Sequence, residues 1–498
     1  MAKFKPYSTE QGELIPTYLS EWIPDDHLVR LVSDIVDQLD LSGITKQYSN
    51  RGEEAYHPAL LLKLLFYGYA TGVFTSRKIR AAMDENIPFR WLCGGQKPDF
   101  RTISDFRLNH IQLLPGLFTQ VLRIALTLGY ISLGHVSIDG SKLKANASKH
   151  KAMSRERMKQ EITRLEAEIK EVLQKAQQDD QQEEGQLSLF PESVNAEVHD
   201  REVRLNKIRT ALQQLEERKP EAESKTPEKD QINFTDPGSR IMDTKTQGVI
   251  QAYNPQIAVD AANHFIVGLK MSNSSSDQQQ FQSVLQSIEV HTDNMPSKVS
   301  ADAGYFSAEN IKAAESSHVD AYIAAVKESK QDGNAYDKSN FTYVPGTDRY
   351  LCPIGKPMPL KQTVHANNPD KATQWIYECQ ACHECPFQQD CAKGRSGKRT
   401  ITRTEADPIR EAMRTKVQSD EGKASYRQRK AIVEPAWGEI KECQGFRQFH
   451  LRGEDNVEGE FVLLALSYNL RKLHSAKYPK PATLYKREKS AKKQKSAA

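Results

Sequence analysis

The first 130 residues carry an apolar pattern that predicts helices. An almost unbroken apolar run over 60–74 follows Tyr56-His57-Pro58-Ala59, and it predicts a buried helix that begins near the proline. Thr75-Ser76-Arg77-Lys78 then has the composition of a helix cap, and its helix should extend towards Met83. We therefore expect an all-α region at 1–130.

Alternating apolar and β-branched residues replace the helical pattern after residue 130. Antiparallel strands followed by a strand–helix alternation form the order of an RNase H-like α/β domain. The fold class is therefore predicted as α/β, with an RNase H-like core behind an all-α N-terminal region. The expected strands are 135–143, 250–260, 264–272, 298–303 and 320–326, with a helix near 278–291.

Two insertions interrupt the predicted core, and the first is helical. Its apolar residues recur at a 4-3-4-3 spacing, which is typical of a helix packed along one face. A second helix with similar spacing follows after a polar turn region, so we expect an antiparallel helical hairpin over 151–232. The apolar positions are Met158, Ile162, Leu165, Ile169 and Val172, then Val198, Leu205, Ile208, Leu212 and Leu215.

The second insertion, at 340–400, is rich in cysteine. Thiols spaced by two residues can face one ion, which predicts a tetrahedral Zn²⁺ site. Five cysteines and His383 compete for four places, and unliganded cysteines are the alternative. A structural role is favoured because four thiolates leave no open position on the metal. The candidate ligands are Cys352, Cys379, Cys382, Cys385 and Cys391, whereas Cys93 and Cys443 stand apart as packing residues.

Composition and charge add little to this organisation. The 498 residues include 69 Lys and Arg against 65 Asp and Glu, a net charge of +4. Neither a secretory signal nor a membrane-spanning run is visible, so we expect a cytoplasmic protein without a membrane partner. The expected units are 1–130, core segments 131–150, 245–330 and 405–475, the insertions 151–232 and 340–400, and a basic, disordered tail at 476–498 that could neutralise phosphates.

Three carboxylates stand in contexts that suit one metal site. Asp139 ends the strand-like run His135-Val136-Ser137-Ile138, and Asp302 ends Val299-Ser300-Ala301. Glu434 lies in a basic helical stretch. Two divalent metals about 3.5–4 Å apart can clamp the attacking and leaving oxygens of a phosphoryl transfer, and shared carboxylates are suitable ligands.

These residues resemble the DDE transposases of bacterial insertion sequences, and most closely the insertion-sequence family numbered eleven eighty-two. The matching pieces are the run from Asp139-Gly140-Ser141 to Ser148, Asp302-Ala303-Gly304-Tyr305, and Tyr426-x2-Arg429-x4-Glu434-x6-Lys441. The signature of that family has three residues between arginine and glutamate, and this chain has four. The N-terminal region is also similar to the helical DNA-binding region of that family.

The resemblance implies a transposase that binds terminal inverted repeats, hydrolyses the phosphodiester at each 3′ end and joins the freed 3′-OH to target DNA. Asp139, Asp302 and Glu434 would hold two Mg²⁺ per active site. Cutting two ends needs at least a dimer. A domesticated DNA-binding protein and a non-transposing nuclease are the alternatives. The predicted DNA contacts near the scissile bond are Tyr426, Arg429 and Lys441. Those in a helix-turn-helix-like unit of the N-terminal region are Arg77, Lys78, Arg80, Arg101 and Arg107. The alternative for this unit is a plain helical bundle with a solvated basic face.

Two local features complete the expectations. Gln186-Leu187-Ser188-Leu189-Phe190, between the two hairpin helices, resembles the short motif by which bacterial proteins dock on the replicative sliding clamp. The alternative is that its apolar residues fold back and cap the hairpin. Pro435 directly follows Glu434, so the helix that carries Glu434 should kink or restart there.

Overall fold

The structure is a computed structural model that describes residues 18–48, 54–182, 192–218, 227–244, 247–326, 334–366 and 372–479. Within these ranges the chain is a mixed α/β molecule. The helices are α1 (Leu28–Gln38), α2 (Ser42–Thr45), α3 (Pro58–Ala70), α4 (Ser76–Glu85), α5 (Ile87–Leu92), α6 (Phe100–Asn109), α7 (Leu114–Thr127), α8 (Arg155–Gln182), α9 (Glu192–Glu217), α10 (Phe281–Thr292), α11 (Ala308–Ser316), α12 (Gln388–Cys391), α13 (Asp407–Gln418), α14 (Asp420–Gly438) and α15 (Glu454–Lys477).

The strands belong to four sheets. They are β1 (His135–Gly140), β2 (Leu143–Lys144), β3 (Ala152–Ser154), β4 (Gln231–Asn233), β5 (Arg240–Thr244), β6 (Gly248–Tyr253), β7 (Gln256–Asp260), β8 (Ile266–Lys270), β9 (Lys298–Ala301), β10 (Asp320–Ile323), β11 (Thr342–Val344), β12 (Arg349–Leu351), β13 (Pro357–Val364), β14 (Gln374–Glu378) and β15 (Thr400–Thr404).

The N-terminal helices occur where the apolar pattern predicted them. Helix α3 is buried along most of its length. The His57 side chain caps it by accepting a hydrogen bond from the Ala59 N–H, and Pro58 occupies the first turn, where a missing N–H costs nothing. Thr75 caps α4 in the same way, accepting from the Lys78 N–H.

The central sheet has the strand order β10-β9-β1-β7-β8. Strands β7 and β8 pair antiparallel on one side of β1, whereas β9 and β10 run parallel to it on the other side. The strand expected at 250–260 is two strands, because β6 leaves for a small sheet with β2 and β5 before β7 joins the central one. The two neighbours of β1 are therefore largely buried strands of opposite direction, β7 antiparallel and β9 parallel to it.

Helix α14 departs from the sequence prediction. The helix does not restart at Glu434, since it continues through Pro435 to Gly438. The irregularity comes later, as a π-helical turn at Glu439–Cys443. A π turn inserts extra backbone and re-aims the side chains after it, so it changes the direction of Lys441 rather than that of Glu434.

The two insertions are separate packing units. Helices α8 and α9 form the expected hairpin around their own apolar cluster, which includes Leu165 and Ile208. Strands β11 to β15 form an antiparallel sheet in the cysteine-rich insertion. The sliding-clamp motif at 186–190 and most of the basic tail lie outside the described residues, so both stay predictions.

Helix α15 packs against α3 and α7 of the N-terminal region and against β8 of the central sheet. Its Glu460 is fully buried. One carboxylate oxygen accepts from the Tyr69 hydroxyl at 2.8 Å, and the other accepts from the backbone N–H groups of His450 and Leu451 at 2.9 Å. Burial opposes this charge, but the hydrogen bond from His450 and the charge of Arg107 outweigh it and lower the pKa of Glu460. The N-terminal helices and the sheet therefore share one core. Among the described residues, no helix combines the length and apolarity needed to cross a membrane.

Candidate active site

Asp139 and Asp302 leave the same edge of the central sheet. Asp139 is the penultimate residue of β1, and Asp302 follows the last residue of β9. These parallel neighbours pair with Ile138 opposite Ala301, so both carboxylates emerge at the carboxyl ends of adjacent strands. Asp302 also accepts a hydrogen bond from the Gly304 N–H at 2.9 Å, which fixes one of its oxygens.

Asp139 lies in a strongly electrostatic environment. Its side chain is 21% exposed. Burial raises the pKa of Asp139 to about 7, the charge of Arg429 opposes that rise, and the carboxylates of Asp302 and Asp277 add to it. Like charges gathered in a half-buried place are unfavourable without a cation, so this edge of the sheet is suited to binding positive charge.

Arg429 is the nearest protein cation. It projects from α14 and is buried, with 7% of its surface exposed. Its Nη1 lies 3.7 Å from Asp139 Oδ1, and its guanidinium is 5.9 Å from the Tyr426 ring. Neither Nε nor Nη1 has a hydrogen-bond partner among the described residues. A buried guanidinium with unused donors is available for an oxyanion such as a phosphate.

Lys441 reaches the same edge from the π-helical turn. Its Nζ donates to the hydroxyl of Ser141, two residues after Asp139, and lies 5.6 Å from the Trp437 ring. Burial lowers the pKa of Lys441, and the nearby charge of Asp139 partly restores it. The site therefore has cationic groups from two points of the same helical segment.

Glu434 is not brought into this group. Its side chain is exposed and has no hydrogen-bond or ion-pair partner within the described part of the chain. It lies about 140° around the helix axis from Arg429, at about 100° per residue. The extra residue between Arg429 and Glu434 accounts for this direction, because one residue fewer would leave the carboxylate about 40° from Arg429.

Asp277 is the acidic residue that the sequence analysis missed. It lies in the loop between β8 and α10, and its Oδ1 accepts from Asn254 Nδ2 at 2.7 Å and from Gln256 Nε2 at 2.8 Å. The buried Tyr305 hydroxyl donates to Gln256, and its pKa is raised well above the usual value by burial and by the Asp277, Asp139 and Asp302 charges. Asp277 follows a run of serines, which predicts only a loop, so no sequence signal pointed to it. No three acidic, histidine or cysteine side chains converge as metal ligands within the described ranges.

The predicted DNA contacts of the N-terminal region fall into two groups. Arg77 and Arg101 are exposed near the Phe100 ring, with guanidinium carbons 5.0 and 5.9 Å from its centre. Lys78 is exposed, and Arg80 forms an ion pair with Asp84 at 2.5 Å.

Arg107 differs from the prediction. It is buried and donates to the Tyr69 hydroxyl at 3.0 Å and to the Phe74 carbonyl at 3.2 Å. Its helix presents this position to the core, so the side chain is committed to internal packing rather than to the surface. A contact between Arg107 and DNA does not fit this arrangement.

The five cysteines of the second insertion line one cavity. Cys352 Sγ accepts from the Lys356 N–H at 3.3 Å and Cys382 Sγ from the Arg399 N–H at 3.4 Å. Burial raises the pKa of Cys379 to about 11, and Cys382 and Cys352 contribute to the rise. His383 is exposed, forms a 3.4 Å contact with Glu384 and does not line the cavity. The five thiols thus line one cavity without converging as metal ligands, whereas His383 lies outside the cavity.

Two models of known protein families match parts of the chain. Residues 351–474 match a family model described as Transposase DDE domain, and residues 17–109 match one described as Transposase domain (DUF772). Together they indicate a DDE-type transposase family and support a transposase role. The first match includes Arg429, Glu434 and Lys441, while Asp139, Asp277 and Asp302 lie outside both. Curated proteins give no match to the chain.

Proposed function

We propose that this chain is a DDE transposase that cleaves DNA at the terminal inverted repeats of its own element and joins the freed 3′ ends to target DNA. The observation that carries the proposal is the pairing of Asp139 and Asp302 at adjacent strand ends beside the buried guanidinium of Arg429. In the first step a water oxygen bonds to phosphorus and the bond to the 3′ oxygen breaks. In the second, the oxygen of that 3′-OH bonds to the phosphorus of a target phosphodiester, and the bond from that phosphorus to the target's 3′ oxygen breaks and leaves a target 3′-OH.

An RNase H-like core is the fold that we propose for the catalytic region. Its support is the central sheet, in which three antiparallel strands are extended by two parallel ones on the other side of β1. In such a core the catalytic carboxylates belong at the carboxyl ends of parallel strands. Asp139 and Asp302 meet that condition, and we keep Glu434 on α14 as the further carboxylate predicted from the signature.

Mg²⁺ is the metal that we propose for this edge. The donors fit it, because carboxylate oxygens are the hard ligands that Mg²⁺ prefers. When bound, such ions lower the charge that builds up on the reacting phosphate. The protein groups have separate duties: Asp139 and Asp302 hold the ions, whereas Arg429, Tyr426 and Lys441 hold DNA phosphates and orient them.

DNA is the proposed partner. We propose that the protein binds it as a homodimer, since two element ends must be cut together. Arg77, Lys78 and Arg101 are its proposed contacts in the N-terminal region, because they are exposed and the two arginines lie near the same aromatic ring, that of Phe100. A Zn²⁺ ion in the cysteine-rich insertion would be structural. Its support is that five thiols line one cavity and that two of the sulfurs accept backbone N–H groups, as zinc-bound thiolates do.

The test is a cleavage and joining assay with a labelled element end and Mg²⁺. Asp139→Asn and Asp302→Asn should each lower the rate of cleavage by at least about 100-fold, because a preorganised charge is lost from the reacting centre. Binding of the DNA end should be nearly unchanged. Glu434→Gln belongs in the same series and should lose cleavage if it supplies the third carboxylate.

The matched control is Glu289→Gln, which neutralises an exposed carboxylate near the far end of α10. It should cleave and join like the parent protein. Joining at the parental rate by Asp139→Asn or Asp302→Asn would refute the assignment.

A further inference from the structure

Asp277 reaches the catalytic edge from a third strand. Strand β8 runs antiparallel to β7, and Lys270 at its end pairs with Gln256 at the start of β7. Gln256 in turn pairs with Gly140 at the end of β1. The end of β8 therefore lies at the same edge as the ends of β1 and β9, and the loop that follows it carries Asp277 back over Asp139 and Asp302.

Two glycines allow this approach. A Cβ on Gly140 would come 2.7 Å from Asp277 Oδ1, which is closer than side chains tolerate. A Cβ on Gly304 would lie 3.0 Å from Asp302 Oδ1 and 3.3 Å from Asp277 Oδ2. Asp277 Oδ2 and Asp302 Oδ1 thus face one small space beside Gly304. Asp277 fills the gap between the chain segments that carry the two predicted catalytic carboxylates.

The two oxygens of Asp277 have different environments. Oδ1 is held by the amide groups of Asn254 and Gln256. The Gln256 side chain is itself held in place, because its carbonyl oxygen Oε1 accepts a hydrogen bond from the Tyr305 hydroxyl. Oδ2, by contrast, lies 3.3 Å from the position of a Cβ built on Gly304, as Asp302 Oδ1 does at 3.0 Å, and it has no hydrogen-bond donor among the described residues. A carboxylate that is oriented through one oxygen and keeps the other for the site has the arrangement of a supported metal ligand.

A second observation indicates that this group of acids serves a ligand. Arg429 is more than nine-tenths buried and points at Asp139, yet its Nε and Nη1 have no hydrogen-bond partner in the described structure. Burying unused donors is costly unless a ligand takes them up. Carboxylates for a cation and a guanidinium for an anion, within one edge, fit a metal ion with a phosphate.

We propose that Asp277 is a metal-holding carboxylate of this site, closing with Asp139 and Asp302 on a divalent cation before DNA binds. The three side chains lie at one edge of the sheet without converging on one point in the described structure, so binding the cation requires them to rotate towards it. The proposal rests on the proposed function and adds a residue to it. It also assigns Glu434 a later part: its exposed side chain does not contribute to the ion held by the free protein.

The experiment measures Mn²⁺ binding to the purified full-length chain by electron paramagnetic resonance, without DNA. Mn²⁺ takes hard oxygen ligands, so the cysteine thiolates do not compete for it. Asp277→Asn should raise the Kd for Mn²⁺ at least about 10-fold, as expected when a carboxylate of a metal site is lost. The replacement amide oxygen can still accept from Asn254 and Gln256, so the loop should keep its conformation.

Two further variants separate the possible failures. Glu289→Gln should leave the Kd unchanged, whereas Asp139→Asn should raise it. Parental Mn²⁺ binding by Asp277→Asn alone overturns this inference and leaves the proposed function intact. Parental binding by Asp139→Asn as well means that the proposed metal site itself is wrong.

Asp277→Glu covers the case in which Asp277→Asn unfolds. It keeps the charge on a longer side chain, so it should recover part of the Mn²⁺ affinity. If it folds, as judged by circular dichroism, and binds Mn²⁺ no better than Asp139→Asn, the proposed role is rejected.

Discussion

Gly140 and Gly304 flank the carboxylates of the site, and each lacks the Cβ that would enter the space used by Asp277. Neither glycine has the positive φ that would require glycine on backbone grounds. Their value is therefore steric, since they let three chain segments approach. At this scale the site depends as much on missing atoms as on charged ones.

Gly140→Ala should test that reading. The added methyl would meet Asp277 Oδ1 and the Gln256 amide, and overpacking of this kind costs about 1–3 kcal/mol of folding stability. Gly116→Ala is the control, because the exposed helical Gly116 has open space around it and alanine there should stabilise by about 0.5–1 kcal/mol. Urea denaturation measures both. A Gly140→Ala protein that is as stable as the parent and binds Mn²⁺ equally well would contradict the steric role.

Single residues also mark the limit of what the sequence could predict. Asp139 and Asp302 were recognisable because each ends a strand-like run before glycine. Asp277 was not, because its position depends on how β8 is ordered in the sheet, which is a long-range property. Arg107 was assigned to DNA from its charge alone, and only the packing of α6 reveals that it faces the core.

Elements were predicted better than their details. Strand and helix positions follow from local periodicity, which is present in the chain itself. The sequence predicted a kink or a restart at Glu434, and α14 does not restart there, because packing of Val433, Ala436 and Trp437 against the core outweighs the local preference before proline. The π-helical turn at Glu439–Cys443 has no local signal, although it directs Lys441 to Ser141.

The cysteine-rich insertion should depend on one Zn²⁺ per chain. Elemental analysis of the purified protein should find it, and chelation should loosen the sheet β11–β15 first, because metal binding supplies much of the folding energy of such a unit. Cys382→Ser should lose the zinc, whereas Cys443→Ser, which alters an exposed cysteine outside the cavity, should keep it. A zinc-free parent protein in which all seven thiols titrate would refute the site.

At the scale of the whole molecule, Glu460 joins helix α3 to α15, the helix that also packs against β8 of the central sheet. Glu460→Gln should destabilise the protein by about 3–5 kcal/mol, as for a buried charge network that loses one member. An amide N–H₂ in place of one carboxylate oxygen would face the backbone N–H groups of His450 and Leu451, which both donate to that oxygen in the parent protein, so donors would meet a donor. Hydrogen exchange should rise in α3 and α15 together.

Glu458→Gln provides the comparison on the same helix. Glu458 is 38% exposed and pairs with Lys270 at 3.1 Å, so its loss should cost no more than about 1 kcal/mol. Equal stability of the two variants, or increased exchange confined to α15, would contradict a shared core.

Helix α15, against which both the N-terminal helices and the sheet pack, has a consequence for synthesis on the ribosome. Asp139 is translated roughly 20 to 70 s before α15 at elongation rates of about 5–20 residues per second. Throughout that interval the N-terminal helices and the sheet lack the surface that both pack against. A nascent chain should therefore remain incompetent for catalysis until residues 454–477 have left the exit tunnel. Products of premature termination should contain Asp139, Asp277 and Asp302 but lack the helix that completes the core.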